Sequence, residues 1–409
     1  MTEREFATDA VRKLQTAGFT AYWAGGCVRD ELLGLTPADY DIASDAAPEQ
    51  VQQLFKRTIA VGASFGVIEV LGPRDAHGEW LKVQIATFRS DGTYTDGRRP
   101  DTVVFSTPED DAQRRDFTIN GLFFDPVANQ LHDFVGGQID LKNKVLRAIG
   151  DPVARFTEDK LRILRAVRMA TRFELRIDEA TFHAARAMAA QIDAVSPERI
   201  SDELRKLLSH PRRSHGVSLL KEMSLVEPIL PEVAATMDTA VKLTAALPDS
   251  ATFPLTFATL LRSLGTKTTR GVCRRLRLSN DETHRTEWLV ARQSDLRDTP
   301  SMQKCKLYPI LTHDGIGDLL ALHRAIAVVD ELPLAPIEQA EQVLATTLRE
   351  VLDPVPLITG DDLTKRGWLP GPLFKQVLQS VRDRQLNGQV SDRAKAMELA
   401  ESLFGVTGL

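Results

Sequence analysis

Ala24-Gly25-Gly26-Cys27-Val28-Arg29-Asp30, followed by Ala38-Asp39-Tyr40-Asp41-Ile42, decides how the rest of the chain is read. Residues 19–24 are apolar and have the character of a buried strand. Gly25-Gly26 predicts a tight turn, and residues 28–33 predict the start of a helix. The first N–H groups of a helix have no partners within it, so such an end receives anions. Arg29 adds a positive charge in that first turn. A strand over 40–43 puts Asp39 and Asp41 on one face, because side chains alternate. Two adjacent carboxylates repel each other unless a divalent cation lies between them. Taken singly, a Gly-Gly turn is usually only a turn, and Asp-x-Asp is usually a solvated loop. Together, a phosphate cradle and a pair of metal-binding carboxylates point to nucleotidyl transfer.

At 409 residues the chain exceeds a single core, and two to four domains are expected. Its 43% hydrophobic and 26% charged composition is that of an ordinary globular protein. No apolar run is long enough to span a membrane. Met1-Thr2-Glu3-Arg4-Glu5 lacks the basic start of a secretory signal, and Cys27, Cys273 and Cys305 form neither a disulfide framework nor a zinc pattern. A cytoplasmic location is expected. The net charge of −5 does not by itself suggest a nucleic-acid binder, so basic patches must be sought locally.

Residues 3–17 predict a helix, with Phe6, Ala10, Val11 and Leu14 at helical spacing. Residues 48–55 predict another. Strand-like runs follow at 58–60, 67–71, 81–88 and 103–105, so the region up to residue 150 is expected to be an α+β head with a mixed sheet. Between the last two runs, residues 90–100 are polar and glycine-bearing. They read as a long surface hairpin or as a lid carrying Asp96, Gly97, Arg98 and Arg99.

Arg114-Arg115-Asp116-Phe117-Thr118-Ile119-Asn120 offers bidentate phosphate donors, and Asp116 suits a ribose hydroxyl. Alone, such a run is usually surface charge. From Asp151 onward the pattern is helix after helix, punctuated by proline. On the first long helix of that region, Asp159, Arg162, Arg165 and Arg168 recur at steps of three and form one skewed stripe. The bland reading is a salt-bridged face. The functional reading is a base reader: Arg162 donates to cytosine's acceptors, and Asp159 accepts from the exocyclic amine that C and A carry and U lacks. Residues 263–280 are basic, holding Lys267, Arg270, Arg274, Arg275 and Arg277 without an acid. They are a solvated face or a contact for nucleic-acid phosphates.

These motifs resemble those of class II template-independent nucleotidyltransferases: tRNA CCA-adding enzymes, their CC-adding and A-adding relatives, and bacterial poly(A) polymerases. Gly-Gly-x-Val-Arg-Asp with Asp-x-Asp is similar to the family's first motif, Arg114-Arg115-Asp116 to its second, Glu158-Asp159-x-x-Arg162 to its base-selecting motif, and residues 196–208 to its neck. The resemblance implies a head over 1–150, a helical neck over 151–215, a helical body over 216–335 and a tRNA-gripping tail over 336–409. It implies CMP and/or AMP transfer from CTP and/or ATP to the tRNA 3′ end, with magnesium at a two-metal-type site on Asp39 and Asp41. Gly25, Gly26, Arg29, Arg115, Asp116, Asn120, Asp159, Arg162, Arg165 and Arg168 would hold the nucleotide. No membrane and no protein partner is implied.

The residues of the loop over 90–100 resemble the family's flexible loop, which argues against a CC-only enzyme. One departure stands out. Where the family has a further carboxylate on the strand before that loop, this chain has Gln84, which is nearly isosteric but uncharged. Glu69 and Glu79 are acids nearby in sequence, though neither falls at the family's position. Three alternatives stay open: A-only addition to tRNA ending in CC, poly(A) polymerase activity, and an inactive RNA-binding paralogue.

Overall fold

Ile42, Ile68 and Ile85 are fully buried and lie side by side on neighbouring strands. They belong to a seven-stranded mixed sheet in a computed structural model that describes residues 1–62, 66–91 and 103–407. Its strands are β1 (Ala21–Ala24), β2 (Asp41–Ser44), β3 (Thr58–Gly62), β4 (Val67–Arg74) and β5 (Trp80–Thr87). After a separate ribbon of β6 (Arg89–Asp91) and β7 (Val103–Phe105), β8 (Leu122–Asp125) and β9 (Gln130–Asp133) complete it. The order across the sheet is β3-β4-β5-β2-β1-β8-β9. β2 and β5 run parallel, and the other neighbours are antiparallel.

The isoleucine row packs with α1 (Glu3–Thr16), whose Phe6, Ala7, Ala10, Val11 and Leu14 recur at helical spacing. α1 starts in a capping box between Thr2 and Glu5. Because register partners share a face, the row one residue away, Asp41, Gln84 and Glu69, lies on the opposite side. That side carries the smaller cluster of Ala24, Ala43, Phe88, Ala112 and Phe123. The α+β reading of the head holds. β8 and β9 are hard to assign from the sequence because each is four residues long and only residues 126–129 separate them.

Around this sheet lie α2 (Gly26–Leu32), α3 (Pro48–Leu54), α4 (Pro108–Gln113) and α5 (Gly137–Lys142). The helical part begins with α6 (Pro152–Glu158), α7 (Leu161–Phe173), α8 (Glu179–Ala187), α9 (Pro197–Leu208), α10 (Arg213–Glu222) and α11 (Val226–Ile229). Between α7 and α8, β11 (Arg176–Ile177) pairs in parallel with β10 (Val145–Leu146), which precedes α6. Then come α12 (Met237–Ala245), α13 (Phe253–Leu260), α14 (Thr266–Arg275), α15 (Asn280–Arg292), α16 (Lys304–Leu311) and α17 (Ile316–Val329). The chain closes with α18 (Ala335–Thr346), α19 (Arg349–Leu352), α20 (Gly360–Lys365), α21 (Pro372–Leu386) and α22 (Arg393–Thr407).

Contacts divide the chain into two compact units. One is Met1–Leu207 with Ser218–Ala234, and the other is Leu208–Val217 with Ala235–Leu409. In the second unit, buried Arg213 spreads its guanidinium over the carbonyls of Leu208, Pro248 and Asp249, which explains a cation in that interior. A separate core at the chain's end gathers Ile358, Leu363, Val377, Val381 and Ala400. No helix among the described residues is long and apolar enough to cross a membrane.

Two local expectations shift. β2 begins at Asp41, because β1 turns away at Gly25 and the β2–β5 pairing starts at Asp41 with Gln84, so Asp39 stands before the strand and strand alternation does not hold it. The helix expected through Asp159 is broken there. Asp159 is extended, at φ −148° and ψ 105°, and its Oδ1 accepts from the Leu161 N–H at 3.1 Å. Aspartate competes with the helix for its own backbone, and this one ends α6 and opens α7.

Candidate active site

The turn after β1 fixes the site's floor. Gly25 takes φ 73° and ψ −117°, outside the range favoured by residues with a Cβ, and its N–H donates to the Leu122 carbonyl at 3.0 Å. A Cβ at Gly25 would stand 2.6 Å from Nη1 of Arg115. Gly26 is the first residue of α2, which therefore starts two residues earlier than expected.

A cleft of about 580 Å³ opens over this turn. Its lining brings together every nucleotide-site candidate of the sequence: Gly25, Gly26, Arg29, Asp39, Asp41, Arg115, Asp116, Asn120, Asp159, Arg162, Arg165 and Arg168. Arg114, Leu161, Met169 and Arg199 complete it. Gln84 is not among the lining residues, although it pairs with Asp41 in register. Asp96, Gly97, Arg98 and Arg99 lie outside the described residues.

The arginines are fixed from behind by acids. Buried Asp111, on α4, accepts from Arg114 at 2.9 and 2.6 Å on one oxygen and from Arg115 at 3.1 and 2.9 Å on the other. These two guanidinium groups hold the Asp111 carboxyl below its ordinary range despite its burial. Arg115 also donates to the Asn120 carbonyl at 3.2 Å. Arg162 donates to Glu158 at 2.6 Å and to the carbonyls of Arg155 and Arg114 at 3.0 Å each. Arg168 donates to buried Glu203, which also lies 3.8 Å from Arg165.

Two candidates are more committed than the sequence suggested. Arg29 is buried and gives three N–H groups to its neighbours: two to Asp30 at 2.8 and 2.6 Å, and one to Asn120 Oδ1 at 2.5 Å. It also lies over the Phe173 ring, 4.2 Å from the centroid. Burial lowers its pKa. Arg29 thus organises the turn and Asn120 first, and the expected free phosphate donor is not what the structure presents.

Asp116 accepts from Arg165 at 2.9 and 2.6 Å, from Asn120 Nδ2 at 2.9 Å and from the Phe117 N–H at 2.8 Å. Its burial would raise its pKa, but Arg165 and these hydrogen bonds hold it well below the carboxylate range. A carboxylate with four bonds has little left for a ribose hydroxyl. Its observed work is to aim Arg165.

Asp41 differs from these paired acids. Solvent reaches it, yet its carboxyl is pushed up to about 6, first by desolvation and then by the charge of Asp39, with Arg115 opposing. It is an anion short of positive partners, as the oxygen donors of a hard cation are before the cation binds. Asp39 and Asp41 fit such an ion as a two-carboxylate set. Among the described residues no group of three or more His, Cys, Asp or Glu gathers for a metal, so neither Glu69 nor Glu79 completes one.

Comparison with known proteins places this geometry. Residues 21–147 match the family model described as the poly A polymerase head domain, and residues 174–237 match the probable RNA and SrmB-binding site of polymerase A. A CCA-adding enzyme of Streptococcus mutans is 36% identical over 401 residues, covering 97% of this chain and 96% of that protein. The chain belongs to the class II tRNA nucleotidyltransferase family. A crystal structure of the Bacillus stearothermophilus CCA-adding enzyme in complex with CTP has the same fold, with a TM-score of 0.81 and 26% identity, covering 100% of this chain and 99% of that one. Poly(A) polymerase I of Haemophilus influenzae is also 36% identical, but only over 251 residues, 58% of this chain and 54% of that protein.

As a member of this family, the chain holds site residues that its motifs did not reveal. Asp111, Glu203 and Arg199 each pair with a motif residue, yet each sits in an ordinary-looking charged run. Arg199 and Glu203 carried a hint through the neck motif, whereas Asp111 carried none. The basic stretch is also refined. Lys267, Arg270 and Arg274 lie on exposed positions of α14, but Arg270 is held by Glu287 at 2.6 and 3.1 Å, which leaves it less free for nucleic acid. Arg275 and Arg277 are exposed as well.

Proposed function

We propose that this chain is a template-independent tRNA nucleotidyltransferase. It adds CMP and AMP, from CTP and ATP, to the 3′ end of tRNA, making or repairing the CCA end with release of pyrophosphate. One observation carries this reading. Asp159 and Arg162, a base-reading pair, line the same cleft as Asp39 and Asp41, far away in sequence. Selection and transfer are thus joined without a nucleic-acid template. The near full-length match to a CCA-adding enzyme favours this over poly(A) polymerase, whose match covers about half of each chain.

The residues divide the work. The Gly25 turn leaves backbone room for phosphates, and Arg115, Arg165 and Arg168 present oriented guanidinium groups to them. Asp159 and Arg162 hold the base. Asp39 and Asp41 would hold magnesium, which when bound acidifies the primer 3′-hydroxyl and stabilises charge on the transferring phosphate. The 3′-oxygen then bonds to the α-phosphorus, and the bond to pyrophosphate breaks. Exposed cations of α14 would meet tRNA phosphates. A cytoplasmic site of action follows from the substrate.

The test offers tRNA ending before CCA, after C and after CC, with each labelled nucleotide in turn. CMP and AMP incorporation is expected. AMP on the CC substrate alone would reassign the chain to A-addition, and long homopolymers would reassign it to poly(A) synthesis. RNA binding without incorporation, in magnesium and in manganese, sinks the enzyme.

A further inference from the structure

Arg199 enters the cleft from α9 and takes hold of Asp159. Its Nη1 donates to Oδ1 at 3.1 Å and its Nη2 to Oδ2 at 2.6 Å, a two-pronged pair between groups that are both partly buried. The Leu161 N–H donates to the same Oδ1 at 3.1 Å. A carboxylate has about four lone-pair sites. Three of them are filled, so Asp159 keeps one open acceptor, on Oδ2.

Arg162 is similarly narrowed. Both Nη1 hydrogens and one on Nη2 go to Arg155, Glu158 and Arg114. Its Nε–H and one Nη2–H carry no hydrogen bond among the described residues.

Resting on the functional reading above, we propose that Arg199 is a positioning residue for base choice. By clamping Asp159 it presents a single, fixed acceptor, which suits one N–H of an exocyclic amine and refuses a carbonyl oxygen. The clamp also keeps Asp159 from turning to the phosphate-side arginines. Asp159 is near enough to Arg165 to help raise that residue's pKa. Arg199 and Glu203 are four apart on α9, and Glu203 holds Arg168. One helix face therefore sets both the base-reading acceptor and a cation beside it.

The test compares wild type, Arg199→Lys and Arg199→Ala. Incorporation is read as kcat/KM for CTP against UTP and for ATP against GTP, and binding of all four nucleotides is read by calorimetry. Lysine keeps the charge but cannot grip both oxygens. Both variants are expected to lose roughly tenfold or more of the discrimination against UTP and GTP, because a lost fixed hydrogen-bond reader weakens choice by that order. Lys206→Ala, exposed on the same helix, is expected to leave the ratios unchanged.

Ratios within about twofold of wild type in Arg199→Lys, a change the fold should bear, would overturn the proposal. So would loss of overall rate with the ratios intact, which marks a merely structural helix. A wild-type protein that neither incorporates nor prefers any nucleotide would instead refute the functional reading, and the inference with it.

Discussion

Gly25 and Gly26 look alike in sequence and are not alike in space. Gly25→Ala must force a Cβ into a positive-φ conformation against Arg115, costing about 1–3 kcal/mol for the backbone alone. Arg115 must also shift, so incorporation is expected to fall further than stability. Gly26→Ala meets nothing nearer than 3.7 Å and lies in a helix, where it is expected to be neutral or stabilising by up to about 1 kcal/mol. Urea unfolding of the two variants separates the cases. Asp41 gives a second prediction. A carboxyl whose folded pKa is raised from 3.8 to about 6 favours the fold when protonated, so its contribution is present below pH 3.8 and is lost as pH rises through 6. In metal-free buffer at pH 8, Asp41→Asn is therefore expected to melt no lower than wild type, while incorporation disappears. Added magnesium or manganese should raise the melting temperature of wild type and not of the variant. A variant that still responds fully to the cation would remove Asp41 from the metal site.

α4 shows what a short helix can do when it carries one buried acid. Thr107 caps its start by accepting from the Asp110 N–H, Pro108 fits the first turn, and Asp111 enters the interior beneath Arg114 and Arg115. Asp111→Asn leaves two guanidinium groups without their counter-charge and is expected to cost roughly 3 kcal/mol or more. Here the pH sign is opposite to that of Asp41. A lowered folded pKa gives stability that is present above about pH 4 and lost as pH falls toward the folded value, so the acid limb of wild-type unfolding should flatten in the variant. Elements such as α1 and β5 were legible in the sequence because their apolar periods are long and unambiguous. Asp39, Asp41, Asp159 and the arginines were legible as a set because their motifs are dense. Asp111 was not, since a lone charged residue on a helix looks the same whether water or a guanidinium covers it, and Arg199 and Glu203 were legible as neck residues but not as the partners of Asp159 and Arg168. The break at Asp159 was hidden by good helix formers on both sides. The commitments of Arg29 and Asp116 needed partners such as Asn120 and Arg165, which only the fold supplies.

Across the whole chain, charge is sorted by unit and by depth. The second unit carries the exposed α14 cations, and Lys267→Ala with Arg274→Ala is expected to weaken tRNA binding and reduce its salt slope by about one per cation removed, leaving CTP and ATP binding unchanged. Filter binding across a salt series measures it. An unchanged slope would move the tRNA path off this helix. The first unit does the reverse. Its cleft shows seven arginines, and Asp30, Asp111, Asp116, Glu158, Asp159 and Glu203 pair with them. A field made of such close opposites dies away within a few ångströms, faster than that of bare cations. The cleft is therefore electrically loud at its wall and quiet at its mouth. A small triphosphate that fits inside feels the guanidinium groups one by one, whereas an RNA outside the cleft meets a field there that the paired acids largely cancel. Such a pocket is hard to foul with the cell's most abundant polyanions, yet stays open to their monomers.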